Sequence, residues 1–230
     1  MLAWLPFAGA FALFVLSHAV PARPAVRARL VRSLGHHGYL AAYVAVSLAT
    51  LAALIAAAKA APYVPLWALA PWQRWVPNIA VPVACVLAAY GTAAPNPLSF
   101  GGRRTHTFDP DAPGIAGLTR HPLLWALALW AGAHAVPNGN LAHVLLFGGL
   151  AGFAGAGSIM LDRRYRRRTG RAAWRCLARR TSLVPGAALL AGRWRPRALP
   201  APGRAAVGVL AWAALLALHG PVIGVSPLPA

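Results

Sequence analysis

Long apolar runs, separated by short basic or proline-rich stretches, dominate the chain. A helix needs about 20 apolar residues to cross a hydrocarbon core of roughly 30 Å, and six runs reach or approach that length. The pattern predicts an all-α, polytopic integral membrane protein with about six transmembrane helices, forming a single domain over residues 1–230. The predicted spans are residues 2–20, 39–60, 76–94, 122–136, 141–161 and 205–225.

Several shorter features add detail to this pattern. The fourth run is the shortest, and we expect its helix to begin a few residues earlier, around Gly117. The turn 137–140 has only four residues, which predicts an antiparallel hairpin of the fourth and fifth helices. The stretch 163–180 carries nine arginines with interleaved aromatic residues, which predicts an amphipathic helix on the inner membrane surface. The stretch 183–192 is too short to span and is expected to be an interfacial or re-entrant piece. Together the two stretches form a basic interfacial segment between helices five and six.

Lysine and arginine are divided very unequally between the two sets of loops that six spans create. Twenty of the 22 basic residues fall in one set, and only Lys59 and Arg74 fall in the other. Loops rich in Lys and Arg remain in the cytoplasm. This predicts a bacterial inner-membrane protein with both termini in the periplasm and a retained first span. The arginine-rich loops are then expected to contact the lipid bilayer through anionic headgroups at its cytoplasmic face.

Acidic residues are almost absent, which excludes several kinds of site. Only three of the 230 residues are acidic, and none is glutamate, so a carboxylate metal cage or a two-carboxylate hydrolase cannot be built. Two cysteines in unlike surroundings predict neither a disulfide framework nor a zinc knuckle. The formal net charge of +19 would favour nucleic acid only if the arginines lay on a soluble surface. We therefore expect no nucleic-acid partner.

Histidines are the plentiful side chains that could ligate a metal or move protons. An ionisable group inside a span is a functional hypothesis, because burying it is costly unless it is neutral and paired. A neutral imidazole satisfies that condition and is a good metal ligand. The absence of an i,i+4 pair argues against a zinc site. The chain has eight histidines: His18, His36, His37, His106, His121, His134, His143 and His219.

Depth in the membrane separates these histidines. By helix rise, His18 lies about 7 Å inside the cytoplasmic side of its span, and His134 lies about 21 Å above the same boundary. His143 and His219 share the periplasmic half with His134, and His121 lies at the cytoplasmic boundary. The remaining three, His36, His37 and His106, are expected in solvated cytoplasmic loops.

Two groups of motifs carry a resemblance to a known family, over about residues 10 to 190. The first resembles the opening of that family, and the second resembles its central signature and its tail. The opening comprises Ser17-His18, the stretch 21–32, Leu34-Gly35, Tyr39, Tyr43 and Ser47. The second group comprises Gly114-Ile115, Thr119-Arg120-His121-Pro122, Trp125, Trp130, His134, Asn138-Gly139, His143, Leu146-Phe147-Gly148, Asp162-Arg163-Arg164, Trp174, Thr181-Ser182 and Pro185.

The family that these motifs resemble is the NnrU family, and the resemblance implies a link to nitric oxide reduction and denitrification. The family is also similar to the plant 15-cis-zeta-carotene isomerase, a membrane haem protein, which implies haem b held between two histidines. Carried over by motif, the iron ligands are His18 and His134. His121 and His143 are further candidate cofactor-binding residues, and His143 or His219 pairs with His134 if the porphyrin stands upright. Ala131 replaces a cysteine of the isomerase, so the isomerase's ligand switch is not implied.

A second resemblance leaves another function open. Arg120-His121-Pro122 at the start of a span, the tight hairpin and the basic segment with Tyr165 are similar to the isoprenylcysteine carboxyl methyltransferase group, which binds S-adenosylmethionine. That group also carries glutamates after its last hairpin helix, where this chain has only Asp162. A haem-dependent isomerase, a membrane methyltransferase and a non-catalytic assembly component therefore remain alternatives.

Overall fold

Helices and their connections make up the computed structural model, which describes residues 2–103, 108–197 and 201–228. These ranges contain two isolated bridges and no β-strand, so the predicted all-α fold is confirmed. Short 3-10 helices cover Leu2–Trp4 and Pro71–Arg74. The α-helices of the described residues are α1 (Leu5–Ala19), α2 (Pro24–Ala60), α3 (Trp75–Gly91), α4 (Ile115–Leu118), α5 (Pro122–Ala135), α6 (Leu141–Thr169), α7 (Arg171–Ala178), α8 (Ala187–Leu190) and α9 (Pro202–Ile223).

Four of these helices are long and apolar enough to cross a membrane. They are α1 with the turn before it, α2, α6 and α9. The apolar helices α3 and α5 have only 17 and 14 residues. The chain is thus a membrane protein. Its third predicted span, α3, is at the lower limit of length for a crossing, and its fourth, α5, is below that limit.

The arginines before the second span belong to a helix rather than to the loop that the sequence predicts. α2 begins at Pro24, whose missing N–H is not needed in a first turn. It continues through Arg27, Arg29 and Arg32, because Ala, Leu and Arg are strong helix formers. The helix is kinked at Gly35, whose φ of +70° is readily adopted only by glycine. A basic helical segment therefore leads directly into the span.

The expected start of the fourth span near Gly117 is wrong. Gly117 lies in the separate helix α4, and Thr119 after it is extended (φ −154°, ψ 140°). α5 begins only at Pro122. Proline disfavours helical backbone at the residue before it, which explains the non-helical angles of His121 (φ −122°, ψ 64°).

The sequence predicts one amphipathic helix over the basic stretch 163–180, but the structure divides this stretch between two helices. Its first part extends α6 to Thr169, eight residues beyond the predicted end of the fifth span. Gly170 then breaks the helix with a φ of +84°, and α7 follows. The 29 residues of α6 are about 43 Å long at 1.5 Å per residue, so the end of α6 extends past a core of about 30 Å.

The chain packs as two compact units, of which the first comprises Met1–Ala68 and Asn138–Leu146. In it α1 packs against α2, with Phe14 and Leu54 among the buried residues. The backbone of Leu66 donates a hydrogen bond to the carbonyl of Gly139, and Leu141 donates one to the carbonyl of Val64. These bonds anchor the first turn of α6 within this unit.

The second unit comprises Leu69–Pro137 and Phe147–Ala230. In it α3 packs against both α5 and α9. Near one end of α5, Leu124 lies beside Gly157 of α6, and near the other end Trp130 and His134 contact Phe147. Rising numbers on α5 therefore match falling numbers on α6, so the predicted antiparallel hairpin is present.

Candidate functional site

His121 lies at the junction where α5 begins. It is the N-cap residue of that helix, and its side chain is fully buried. The backbone of Arg120 before it donates a hydrogen bond to the carbonyl of Ser182 (2.8 Å), and the carbonyl of Arg120 accepts one from Asn96 Nδ2 (2.8 Å). These two bonds fix the backbone next to His121 and so position its imidazole.

Asp162 of α6 binds both His121 and Arg120. His121 Nε2 lies 2.8 Å from Asp162 Oδ1, and Arg120 Nη2 lies 2.6 Å from Oδ2. Arg120 Nε also reaches both carboxylate oxygens, at 3.2 and 3.1 Å. Contact with a guanidinium at two nitrogens favours the ionised carboxylate. An ionised carboxylate only accepts hydrogen bonds, so the proton of this bond is on His121 Nε2.

Ser99 approaches the opposite edge of the same ring. Its Oγ lies 3.3 Å from His121 Nδ1. In the neutral imidazole with its proton on Nε2, Nδ1 accepts and the serine hydroxyl donates. Ser99, Arg120, His121 and Asp162 together are called the His121 cluster below.

Arg120 also connects the His121 cluster to the basic segment. Its Nη1 donates to Thr181 Oγ1 (3.0 Å), and its guanidinium lies 5.5 Å from the ring centroid of Trp174 in α7. Thr181 is fully buried. A cation–π contact stabilises by about 0.5–1 kcal/mol at an exposed position and by more where the pair is desolvated, as for the largely buried Arg120. Through these contacts of Arg120, the amphipathic helix α7 packs against the start of the α5–α6 hairpin.

His18 occupies the last turn of α1. Its Nδ1 lies 2.8 Å from the carbonyl oxygen of Phe14, and its ring centroid lies 4.3 Å from that of Phe14. A carbonyl oxygen only accepts, so Nδ1 carries the proton and the lone pair of the neutral ring is on Nε2. Tyr43 of α2 contributes a second aromatic ring, 5.8 Å from the imidazole.

Hydroxyl groups of α1 and α2 surround His18. Ser17 Oγ lies 3.2 Å from His18 Nδ1 and 3.2 Å from Thr50 Oγ1. Tyr43, Ser47 and Thr50 lie at i, i+4 and i+7 of α2, so they share one helix face. Ser47 Oγ is buried and has no hydrogen-bond partner within the described ranges. The α2 face next to His18 therefore holds an unsatisfied hydroxyl.

His134 repeats the local geometry of His18 on α5. Its Nδ1 lies 2.8 Å from the carbonyl oxygen of Trp130, and its ring centroid lies 5.2 Å from the Trp130 ring. Phe147 of α6 lies 5.4 Å away. In both histidines, Nδ1–H donates to the carbonyl four residues earlier, and the ring packs on the aromatic side chain of that residue. His18 belongs to the first unit and His134 to the second.

His143 and His219 have different surroundings. His143 Nδ1 lies 2.8 Å from Asn140 Oδ1, which also accepts the backbone N–H of His143 at 3.1 Å. His219 Nδ1 lies 2.8 Å from the carbonyl oxygen of Val225, just beyond α9. His134 and His219 both belong to the second unit, whereas His143 belongs to the first.

The histidines expected in loops are placed differently. His36 and His37 are exposed residues of α2, directly after its kink, with ring centroids 5.6 Å apart. The expectation of a loop there is wrong, because the helix resumes at once after Gly35. His106 lies outside the described residues. Across the ranges that the structure describes, no group of three or more His, Cys, Asp or Glu side chains could hold a metal ion.

Several polar residues at these sites escaped the sequence analysis. Ser99, Thr50 and Asn96 lie in apolar or proline-rich surroundings without a spacing that singles them out. One signal was available in the sequence: a polar residue within an apolar stretch, because burying a polar side chain is costly unless it is hydrogen-bonded. Asn96 is an example, since its Oδ1 accepts from the backbone of Leu98 and its Nδ2 donates to the carbonyl of Arg120.

Comparison with known proteins agrees with the motifs quoted above. A search of curated proteins and of solved structures found no match. A family model described as NnrU protein matches residues 6–227. That match includes His18 and His134, the α5–α6 hairpin and the His121 cluster. Because it covers nearly all of the sequence, the chain belongs to the NnrU family.

Proposed function

We propose that this membrane protein binds haem b, and that His18 and His134 would hold its iron. The observation that carries the proposal is their shared geometry: each donates Nδ1–H to the carbonyl four residues earlier, at 2.8 Å. This bond fixes the tautomer that presents Nε2 to a metal, and it raises the basicity of the ligand. His121 is not among the proposed ligands, because both of its ring nitrogens are engaged.

The surroundings of each imidazole, taken within its own unit, support its role toward a porphyrin. Phe14 and Tyr43 lie against His18, and Trp130 and Phe147 lie against His134, so each imidazole lies among aromatic rings. The unpartnered buried hydroxyl of Ser47 offers a donor to a polar edge of the ring. A bound haem b would supply one-electron or ligand-exchange chemistry at the iron. The protein's own part is to hold the two imidazoles in one tautomer and to exclude water.

The visible spectrum of the purified protein, produced with an intact haem supply, tests this proposal. We expect a Soret band and the sharp reduced-state bands of iron with two strong axial ligands. His18→Ala and His134→Ala should each lose haem or become high-spin. His37→Ala, at an exposed position of α2, is the matched control and should leave the spectrum unchanged.

The outcomes separate the alternatives. A normal low-spin spectrum in His18→Ala, with loss of haem in His219→Ala or His143→Ala, would replace the proposed pair by the periplasmic histidines. A wild-type protein without haem would instead favour a non-catalytic assembly component. If the protein binds haem, we propose from its membership of the NnrU family that it acts in nitric oxide and denitrification metabolism.

One observation favours a second function, methyl transfer of the isoprenylcysteine carboxyl methyltransferase type. Arg120, His121 and Asp162, which carry that resemblance, meet in one buried cluster beside α7. Binding of S-adenosylmethionine in calorimetry, by a protein that retains no haem, supports this function over the first. The carotenoid-isomerase alternative depends on the haem and is tested with it.

We also propose the inner bacterial membrane as the location, with both termini in the periplasm and the arginines against anionic lipid headgroups. The extension of α6 past its apolar part supports this arrangement. Five of the arginines lie in that extension, beyond the length of helix that a hydrocarbon core of about 30 Å would cover. Each basic residue near an anionic leaflet contributes about 1 kcal/mol of attraction.

A further inference from the structure

We propose that Ser99 is a nucleophile, activated by His121 and oriented through Asp162, that cleaves an acyl ester at the arginine-rich end of the protein. The three side chains form one line: Ser99 Oγ is 3.3 Å from His121 Nδ1, and His121 Nε2 is 2.8 Å from Asp162 Oδ1. A nucleophile, a base and an orienting group in mutual hydrogen-bond reach are the signature of covalent catalysis. Neither haem binding nor methyl transfer uses this serine.

The direction of every proton in this line follows from Asp162. Arg120 holds that carboxylate from the other side, with Nη2 2.6 Å from Oδ2, so it stays ionised and accepts from His121 Nε2. The free lone pair of the neutral ring is then on Nδ1 and points at the hydroxyl of Ser99. Ring nitrogens are exchanged relative to the familiar serine triad, but the roles of base and orienter are the same.

Local structure places Ser99 where a substrate can reach it. His121 has no exposed side chain, whereas Ser99 is half-buried. Asn96 shapes the turn before Ser99, since its Oδ1 accepts from Leu98 N–H at 3.0 Å and its Nδ2 donates to the carbonyl of Arg120. The base is therefore shielded from water while the nucleophile stands at the edge of the cluster.

The surroundings define the class of substrate. Ser99 lies in the connection between α3 and α4, where Arg103 is exposed four residues later. Apolar helices adjoin this connection, and it contains basic residues, so the best fit is a fatty-acyl ester whose head carries negative charge. Such an amphiphile would reach Ser99 from the membrane interface.

The step balances without any further cofactor. Ser99 Oγ forms a bond to the acyl carbon and its proton passes to His121 Nδ1, while Asp162 stabilises the resulting imidazolium. The ester C–O bond breaks, and the leaving alkoxide takes the proton from His121. Water then gives a proton to the same nitrogen, its oxygen attacks the acyl carbon, and Ser99 leaves and regains its proton.

A fluorophosphonate probe tests the assignment, because it phosphonylates only activated serines. We expect the purified full-length protein to be labelled, with mass spectrometry locating the adduct on Ser99. Ser99→Ala should abolish labelling, and His121→Ala should slow it by about 10²-fold, the usual size of a general-base contribution. Ser33→Ala is the matched control and should be labelled like the wild type, because Ser33 is exposed and donates only to carbonyls of its own helix.

Other results would overturn the proposal. These are an unlabelled wild type, an adduct on another residue, or labelling of Ser99 that is as fast in His121→Ala as in the wild type. The location of the adduct is determined on the wild-type protein, so it stays decisive even if a variant fails to fold. Hydrolysis of p-nitrophenyl decanoate should be lost together with labelling, and persistence of hydrolysis in Ser99→Ala counts against the proposed role.

Discussion

Asn140 gives His143 a structural role at the start of α6. Its Oδ1 accepts the backbone N–H of His143 at 3.1 Å and lies 2.8 Å from His143 Nδ1. An N-cap side chain that accepts from the third residue of a helix satisfies one of the donors that the first turn leaves open. His143 is therefore held by the cap of its own helix, unlike His18 and His134.

Replacing Asn140 tests this interpretation at a single residue. Asn140→Ala should lower the free energy of unfolding by about 1 kcal/mol, the usual cost of losing an N-cap. Asn140→Asp is the matched control and should retain most of the stability, because its carboxylate accepts the same bonds and favours a helix N-terminus. Denaturant unfolding followed by circular dichroism measures both, and equal stabilities of Asn140→Ala and the wild type would refute the capping role.

The contact between α3 and α9 depends on the absence of a side chain. A Cβ atom on Gly208 would lie 2.6 Å from the Cα and 2.9 Å from the backbone nitrogen of Val86. Backbone cannot move aside as a flexible side chain can. Small residues at such crossings let membrane helices approach closely and gain van der Waals contact.

Gly208→Ala should therefore push α9 away from α3. We expect a loss of about 1–3 kcal/mol, the range for overpacking, visible as a lower midpoint of thermal unfolding in detergent. Gly220→Ala lies in the same helix and meets no atom within 4 Å, so it should be neutral or slightly stabilising. Similar midpoints for the two variants would show that the close crossing contributes nothing.

Helix ends were predictable only in part from the sequence. α5 begins at Pro122, but counting apolar residues placed its start too early, around Gly117, because Gly117 and Leu118 are as apolar as the residues of a span. The opposite error affected α2 and α6, which continue into arginine-rich sequence. Hydropathy measures solubility in lipid, whereas the helix itself needs only good helix formers, and arginine is one of them.

Some residues of the candidate sites could be identified from the sequence, and others only from the structure. Histidines at 18, 121 and 134 were singled out because an ionisable group in a membrane demands an explanation. Ser99 and Asp162 lie 63 positions apart in the sequence, and only the antiparallel hairpin and the 92–103 turn bring both to His121. Long-range contact of this kind has no signature in local spacing.

At the scale of the whole molecule, the distribution of charge sets the expected orientation. Twenty of the 22 basic residues fall at one end of the predicted spans. Alkaline phosphatase fused after Ala230 should be active in the periplasm, while a fusion after Thr169 should be inactive because that position lies among the arginines. The opposite activity pattern would reverse the orientation and every depth assigned to the histidines.

The short helices α3 and α5 also bear on the bilayer around the protein. Their 17 and 14 residues extend about 26 and 21 Å, and the two helices pack side by side. A bilayer core of roughly 30 Å exceeds both lengths, which is a negative hydrophobic mismatch. A short span is accommodated by local thinning of the bilayer, by flanking side chains that reach the interface, or by oligomerisation. If α3 and α5 both cross the bilayer, reconstitution in short-chain lipids should therefore stabilise the protein.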